Sequence, residues 1–562
     1  MTVLTAETGE FQVNTTTIGN QDDPRIAALP DGGWIVVWEG HVPGDDYNQV
    51  YQQRFDANGA PVGGEQVVSV PIGTVSQSNP RIAVLADGSW VITWNTWDGD
   101  DSTADVMART YDAQGVASGA PLQVNSITAL GQFGQEVTAL NNGGFAIVWQ
   151  SDGPDGDANG IRGQRFDADG DMVGGEFGIN TTTAGEQRFP AVDTLSNGRM
   201  IVTWQVPVYD QNGHRVSSTS WGQILSPNGV KIGGEFPIKE GDAFNGAFSV
   251  AALTEGRFAV VGWDFDGSAS VPFVEIYDGD ANLLSSQTLP PVPGASVYEP
   301  RIAALPDGGF VVTATVDIPG NAQLRGQENT VMQRFDADGV PVDGPVQVNA
   351  TVGSGRYQDD AAVTVLADGR IVVTWEGYNQ DGDGEGVFAR VYDAQMVGTQ
   401  GRDVLVGTSQ ADLIKGRDGN DVLRGGLGDD MLFGGNGRDA VLGAGGNDVL
   451  RGEDGHDRIS GGAGDDILIG GLGNDRMNGG AGADEFHFSA GADLITRFND
   501  NRDEIVLDGD ALGLGDISAQ QVIDTYASVQ GNAAVFDFGD GNTLTVNGVS
   551  DLSILVDDLI II

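Results

Sequence analysis

From Gly398 to about His487 the chain repeats one nine-residue phrase, Gly-Gly-x-Gly-x-Asp-x-apolar-x, and the stretch GGAGDDILIGGLGNDRMN (461–478) states it twice. The sixth position is always aspartate: Asp403, Asp412, Asp421, Asp430, Asp439, Asp448, Asp457, Asp466, Asp475 and Asp484. The eighth is apolar: Leu405, Ile414, Leu423, Leu432, Val441, Leu450, Ile459, Leu468, Met477 and Phe486. Glycine loses the most backbone entropy on folding and aspartate is depleted from strands, so neither suits an ordinary core. A strict period resolves the conflict. The glycine-rich half makes tight turns with positive φ, and the x-apolar-x half makes a very short strand with one inward side chain. Two nonapeptides then complete one coil.

In such a coil, residues 18 apart stack. One edge carries Asp403, Asp421, Asp439, Asp457 and Asp475, the other Asp412, Asp430, Asp448, Asp466 and Asp484. Columns of closely stacked like charges repel unless divalent cations sit between successive rungs. The apolar position alone gives a core one side chain thick, too thin for independent stability, so ion binding must contribute folding energy. A flexible Gly/Asp linker would need no apolar eighth position.

This array resembles the RTX (repeats-in-toxin) family, whose nonapeptides build a calcium-binding β-roll. The resemblance covers residues 398–487 and implies Ca2+ as the bound ion. It also implies export by a type I secretion machinery, with an uncleaved C-terminal signal and folding outside the cell. Thr408, Ser409 and Gln410 replace glycines, and Arg417-Asp418 and Glu453-Asp454 interrupt the double glycine, so the first two repeats are the weakest ion sites. Residues 488–562 are strand-like and acidic, with only Arg497 and Arg502 as bases. AVFDFGDGNTLTV reads as a hairpin turning at Asp540-Gly541. The segment looks like the cap and secretion signal that follow RTX rolls. A plain edge strand capping the solenoid is the simpler reading of LSILVDDLIII, and both can hold.

The first 395 residues repeat at a longer period. One turn-plus-strand unit recurs as LPDGGWIVVW (29–38), LADGSWVITW (85–94), LNNGGFAIVW (140–149), LSNGRMIVTW (195–204), LTEGRFAVVGW (253–263), LPDGGFVVTAT (305–315) and LADGRIVVTW (366–375). A second unit such as YQQRFDANG follows each, a third such as FQVNTTT precedes each, and a short stretch such as PRIAAL completes the set. Four strands in each of seven units predict a seven-bladed β-propeller. The chain enters on a third-unit strand, FQVN (11–14), and none follows the last RVYDAQ. Residues 11–14 should therefore complete the seventh blade and close the ring, removing exposed edges.

Composition bounds the function. The 562 residues carry 80 acidic against 28 basic side chains, a net charge of −52, and no cysteine. Nucleic acid and anionic membranes are thereby poor partners, and hard cations good ones. Disulfides and thiolate chemistry are excluded. The opening MTVLTAETGE has neither a basic n-region nor an apolar h-region, which predicts no Sec-type signal peptide. No apolar run is long enough to predict a membrane span.

Trp38, Trp94, Trp149, Trp204, Trp263 and Trp375 recur at one strand position, which reads as packing of blade on blade rather than as a sugar-stacking site. Aspartates such as Asp56, Asp167 and Asp336 should open turns. Two loops are candidate ion sites. DGDANG carries Asp155, Asp157 and Asn159, and DGDGEG carries Asp381, Asp383 and Glu385; both resemble the first half of an EF-hand-like calcium loop, without its later acidic ligand. Catalytic signals are sparse. The histidines are His41, His214, His456 and His487, with no Ser/His/Asp spacing and no G-x-S-x-G elbow. Carboxylates are too many for a catalytic pair to be picked out.

The chain thus reads as all-β: a seven-bladed propeller (1–397), a calcium-binding β-roll (398–487) and a small β capping module with the secretion signal (488–562). The expected function is a secreted calcium-binding protein, extracellular or cell-surface associated, whose propeller is a binding or adhesion module for a surface glycan or matrix component. The alternative is a secreted, calcium-stabilised hydrolase or lyase with its active site in the propeller channel.

Overall fold

The computed structural model describes the chain apart from residues 1–4, 7, 42–46, 71–74, 98–103, 129, 154–158, 210–214, 242–248, 266–269, 289–295, 307, 318–327, 343, 350–357, 379, 394, 395, 399, 408–411 and 516. The chain divides into two units, Ala6–Asp393 and a second that holds Ala394–Ile562.

The first unit is a propeller of seven antiparallel sheets. Blade 1 is typical: Gln21–Ala28, Trp34–His41, Asn48–Phe55 and Pro61–Val67 pair in chain order. The first strands of successive blades lie side by side around the ring, so that Gln358–Val365 of blade 7 neighbours both Ser296–Ala304 of blade 6 and Gln21–Ala28 of blade 1. These strands line the axis.

Ring closure follows the phase of the repeat. Phe11–Gln12 pairs with Glu385–Asp393 of blade 7. The Asn14 side chain accepts the Val387 N–H at 2.9 Å, as Asn125, Asn180 and Asn349 accept those of Val106, Ile161 and Thr330 in blades 2, 3 and 6. One asparagine therefore does the same work in the borrowed strand as in the covalently continuous ones.

The recurring tryptophans pack blade on blade. Trp94 lies against Ile35, Val37 and Val50 of blade 1, Trp149 against Val91 and Val106 of blade 2, and Trp38 against Val372 and Val387 of blade 7. Each is essentially unexposed. Their indole N–H groups donate to Gln77, Gln132 and Gln21 on the first strand of the same blade, which satisfies a polar atom that burial would otherwise penalise. Aspartates after the third strand open the expected turns: Asp56 accepts from Asn58 and Ala60, and Asp167 from Asp169 and Asp171.

The second unit is a parallel β-solenoid of two facing sheets. Strands pair with those 18 residues away, as Val449 with Ile467 and Ile459 with Met477. From Ile414 to Phe486 the eighth-position side chains form one buried file, while Leu405 is partly buried. The tail extends both sheets: Glu504–Leu507 and Leu559–Ile561 join one, Ala492–Ile495 and Asn542–Asn547 the other. The Asp540-Gly541 hairpin forms, with φ of 52° and 88° at its two turn residues.

One expectation needs correction. The tail is not strand throughout, because Ala519–Tyr526 is an α-helix. Ser518 and Gln521 form a reciprocal capping box, a helix-start signal within DISAQQVIDTY that outweighs the strand-like surroundings. Val522 and Ile523 bury against the same core as the roll residues.

Candidate functional site

Each ladder aspartate reaches backward. Oδ1 of Asp421 accepts the backbone N–H of Asp403, Asp439 that of Asp421, Asp457 that of Asp439 and Asp475 that of Asp457; Asp430, Asp448, Asp466 and Asp484 do the same on the other edge. The eight from Asp421 to Asp484 are at most 3% exposed. In every one, Oδ2 is buried and has no partner. Asp403 and Asp412 stand at the start of the columns and are only half-buried.

A buried carboxylate oxygen without a partner is a costly group, and a file of them fits an arrangement completed by cations. Gly461 and Gly479 keep the space open, since a Cβ at either would run into the Oδ2 of Asp466 or Asp484. Burial is the main force on these groups and raises their pKa; Asp430, Asp457 and Asp466 are pushed up to about 7, with neighbouring aspartates adding to the effect.

Two features were missed in the sequence. The columns continue through Asp493 and Asp503, whose Oδ1 atoms accept the N–H of Asp475 and Asp484. Asp493 keeps the 18-residue step and was legible; Asp503 is shifted by one. A second, outer ladder comes from the fifth position and reaches forward: Asn420 accepts from Arg438, Asp429 from Asn447, Asn447 from Asp465 and His456 from Asn474. The signal was there, as Asn, Asp or His recurs just before the ladder aspartate. It gives His456 a structural role. Beside one column, a cavity of about 610 Å³ is lined by Asp421, Asp439 and Asp457 together with Arg438, His456 and Arg458.

In the propeller, charge concentrates on the axis-lining strands. Among the described residues, six of the seven have a bulge at one level, where Asp23, Asn79, Phe189, Glu299 and Asp360 take positive φ of 46–54° and Gly134 one of 61°. The bulge re-aims the flanking side chains. Asp23 meets Arg25 at 2.5 Å and Arg81 at 3.2 Å, and Arg81 meets Glu136 at 2.7 Å. Burial opposes ionisation of Asp23, but Arg25, Arg81 and Arg301 outweigh it and hold the carboxyl below its ordinary value. Other acids lack such compensation. Burial with acidic neighbours pushes Asp22 up to about 9, Asp359 to about 8, Asp360 to about 7 and Glu376 to about 11. None of this was read from the sequence, because the bulge that gathers these residues has no residue signature of its own.

Of the loop candidates, Asp155 and Asp157 lie outside the described residues, and Asn159 begins the third strand of blade 3. Asp381, Asp383 and Glu385 do not converge. Asp383 accepts the Gly19 N–H at 3.3 Å and Asp381 lies 3.5 Å from the Asn14 amide, whereas Glu385 bonds Asn20 and joins Asp22 and Glu376. His41 contacts Asn48, His487 contacts Glu485, and His214 lies outside the described residues.

Two further cavities open on the propeller. One of about 610 Å³ is lined by the turns after the axial strands, among them Leu29, Leu85, Leu140, Leu305 and Leu366, and carries no titratable group. The other, of about 340 Å³, is lined by Ser78, Asn79, Asn95, Thr96, Trp97, Ala104 and Phe133. Trp97 is 46% exposed, unlike the recurring tryptophans.

The chain therefore joins a seven-bladed propeller to a parallel β-roll with a buried aspartate ladder. Residues 397–432, 433–468 and 460–495 match the RTX calcium-binding nonapeptide repeat, so the roll consists of repeats of that type, which imply calcium binding and point to a secreted protein. Among the described residues no helix is long and apolar enough to cross a membrane. No curated protein matches the chain. Among solved structures, it resembles a protein of unknown function from Dyadobacter fermentans (10% identity, 70% of this chain and 99% of that one, TM-score 0.44). It also resembles an ulvan lyase of a polysaccharide lyase family (12%, 68% and 96%, 0.44) and the propeller domain of the Trilobed protease from Pyrococcus furiosus (12%, 67% and 94%, 0.39). At these scores the likenesses say nothing of what this propeller binds.

Proposed function

We propose that the protein is exported through a type I machinery and ordered by calcium outside the cell, where its propeller acts as a binding module for a surface glycan or matrix component. The observation that carries the calcium part is the file of buried aspartates from Asp421 to Asp484, each with one oxygen partnered and one not. The ladder aspartates, with Asp403 and Asp412 as weaker end positions, would hold the ions. Calcium would supply the charge that neutralises the stacked carboxylates. An affinity near 10⁻⁴–10⁻³ M, roughly that of extracellular modules, suits a switch between cytosol and exterior, and magnesium should substitute poorly. Residues 398–487 form the ion-binding section, and 488–562 serve as end cap and export signal; deleting the tail should trap the protein in the cytosol.

The binding role of the propeller is supported by the cavity at Trp97, where a half-exposed indole lies beside the hydroxyls and amides of Ser78, Asn79 and Thr96. That combination suits a neutral sugar ring better than a polyanion. A hydrolase or lyase reading has one observation in its favour, the carboxyls with raised pKa on the axial strands. One experiment separates the two: incubate the calcium-loaded full chain with a panel of polysaccharides and measure retention and product release together. Saturable retention without product is expected. Turnover that is abolished by Asp360→Asn would replace the binding reading with the catalytic one.

A further inference from the structure

Ring closure lays the first segment of the propeller against its last blade, and three carboxylates meet at that seam. Asp22 comes from the first strand of blade 1, Glu376 from the second strand of blade 7 and Glu385 from the third. One oxygen from each lies within 4.8 Å of the others, and among the described residues no other group of three acids, histidines or cysteines does so. We propose that Asp22, Glu376 and Glu385 bind one divalent cation, calcium by its oxygen-only ligands, which clamps the first segment to the seventh blade.

The cluster by itself would not require an ion. The second observation is Glu376. It is only 6% exposed, and its carboxylate, aimed at the other two, has no hydrogen-bond partner among the described residues. One oxygen of Asp22 is likewise buried and unpartnered. A proton shared between Asp22 and Glu385 would satisfy those two and still leave Glu376 alone. One residue away, Arg25 and Arg81 answer Asp23. Here burial and the carboxylates of Asp359, Asp22, Asp360 and Glu385 all act on Glu376 in one direction.

The residue after the packing tryptophan is Asn95, Gln150 and Gln205 in blades 2, 3 and 4, and Glu39, Asp264 and Glu376 in blades 1, 5 and 7. What differs at the seam is the surroundings: Glu39 accepts from the Asn48 amide and the Asn79 N–H, whereas Glu376 faces Asp22 and Glu385. Hard cations take several oxygen ligands from mixed strands and loops. An ion here would tie the Asn20–Asp22 corner to both strands of the closing blade, next to the Asn20–Glu385 bond that already joins them.

The test uses terbium as a calcium substitute on the full chain. All ten tryptophans precede residue 376 and none lies in the roll, so tryptophan-sensitised emission reports on propeller sites. Trp375 adjoins Glu376 in sequence. The expected result is saturable emission that calcium displaces and magnesium does not, reduced about tenfold or more at equal terbium in both Glu376→Gln and Asp22→Asn. Emission unchanged in both variants, or absent from the unmodified chain, overturns the proposal. Thermal unfolding followed by tryptophan fluorescence gives a second readout. Glu376→Gln should raise the melting temperature without divalent ions, by removing a carboxyl that is costly to bury among other acids, and lower it relative to the unmodified chain in calcium. A rise of equal size in both conditions would assign the cluster to shared protons and reject the ion.

Discussion

In the propeller, an indole N–H at the level of Trp38, Trp94 or Trp149 meets a glutamine, and Asp23 meets two arginines. In the roll, every ladder aspartate from Asp421 to Asp484 is buried with one oxygen unmatched. Both are repeat structures, but they close their accounts differently. The propeller unit is a four-stranded sheet with large side chains on both faces, so blade packing alone supplies burial. The nonapeptide has room for one apolar side chain per turn, and it bends its backbone into costly conformations: Arg417, Ala444 and Glu453 take φ of 74°, 91° and 71° where glycine usually stands. Each such residue costs about 1–3 kcal/mol. A repeat this small buries little apolar surface, and its buried, unmatched oxygens are the ones we propose to hold the ions.

The largest expected effect breaks the comparison in two. Chelating calcium from the full chain should unfold the roll and leave the blades standing. A single site held at a hundred times its dissociation constant stabilises by about 2.7 kcal/mol, and several sites act on one thin core. Hydrogen exchange should show the amides of residues 413–481 losing protection while those of 34–38 and 145–149 keep it. Protection that falls equally in both regions would mean that the propeller is ion-dependent throughout.

Trp38→Ala makes the reverse cut. It removes a fully buried indole from the contact between blades 1 and 7, at a cost of about 3–5 kcal/mol. The tryptophan-reported unfolding transition should shift down strongly, while the calcium midpoint of the roll, read by circular dichroism, stays put. A shift of the calcium midpoint would show that the two regions fold as one cooperative unit.

A third experiment uses pH. In the ion-free roll Asp430, Asp457 and Asp466 titrate near 7, against about 4 for an unfolded chain. The folded form then holds more protons between those values, so ion-free stability should fall as pH rises from about 4 to about 7. Calcium needs the same groups ionised, so its affinity should rise across that window. Asp457→Asn should flatten part of both trends. Calcium binding that is constant from pH 5 to about 8, beyond the titration window, would remove the ladder from the ion sites.

How legible each region was follows from the same difference. The roll's columns could be read because its period fixes every residue's position: Asp439 stacks on Asp421 by arithmetic. The propeller's strand order and ring closure could be read because FQVN begins out of phase. Its charged seam could not. Asp22, Glu376 and Glu385 are far apart in sequence, and they meet only because a bulge at Asp23 turns the first strand while blade 7 borrows its outer strand from the chain start. In the DGDGEG loop, local spacing could not reveal that Asp381, Asp383 and Glu385 each bond the neighbouring segment at Asn14–Asn20, or that Glu385 also joins Asp22 and Glu376. The helix at Ala519–Tyr526 was hidden by its surroundings, although its capping box was in plain view.

The smallest effect on stability tests where the propeller meets its ligand. Trp97 follows the packing Trp94 by three residues, yet it is 46% exposed and has left the inter-blade core. An exposed indole at a cavity rim does little for the fold, so Trp97→Ala should change the unfolding free energy by no more than about 0.5 kcal/mol. If the adjoining cavity is where a sugar stacks, the same substitution should cost binding about 1–3 kcal/mol, the range lost with an interface aromatic anchor, or roughly 5- to 150-fold in retention. Trp97→Phe should recover part of it, because a smaller aromatic face remains. The pairing of the two readouts gives the test its force: Trp38→Ala should damage the fold and, through it, everything else, whereas Trp97→Ala should silence retention in a protein whose melting curve and calcium response are unchanged. Retention that survives Trp97→Ala would move the ligand away from this cavity.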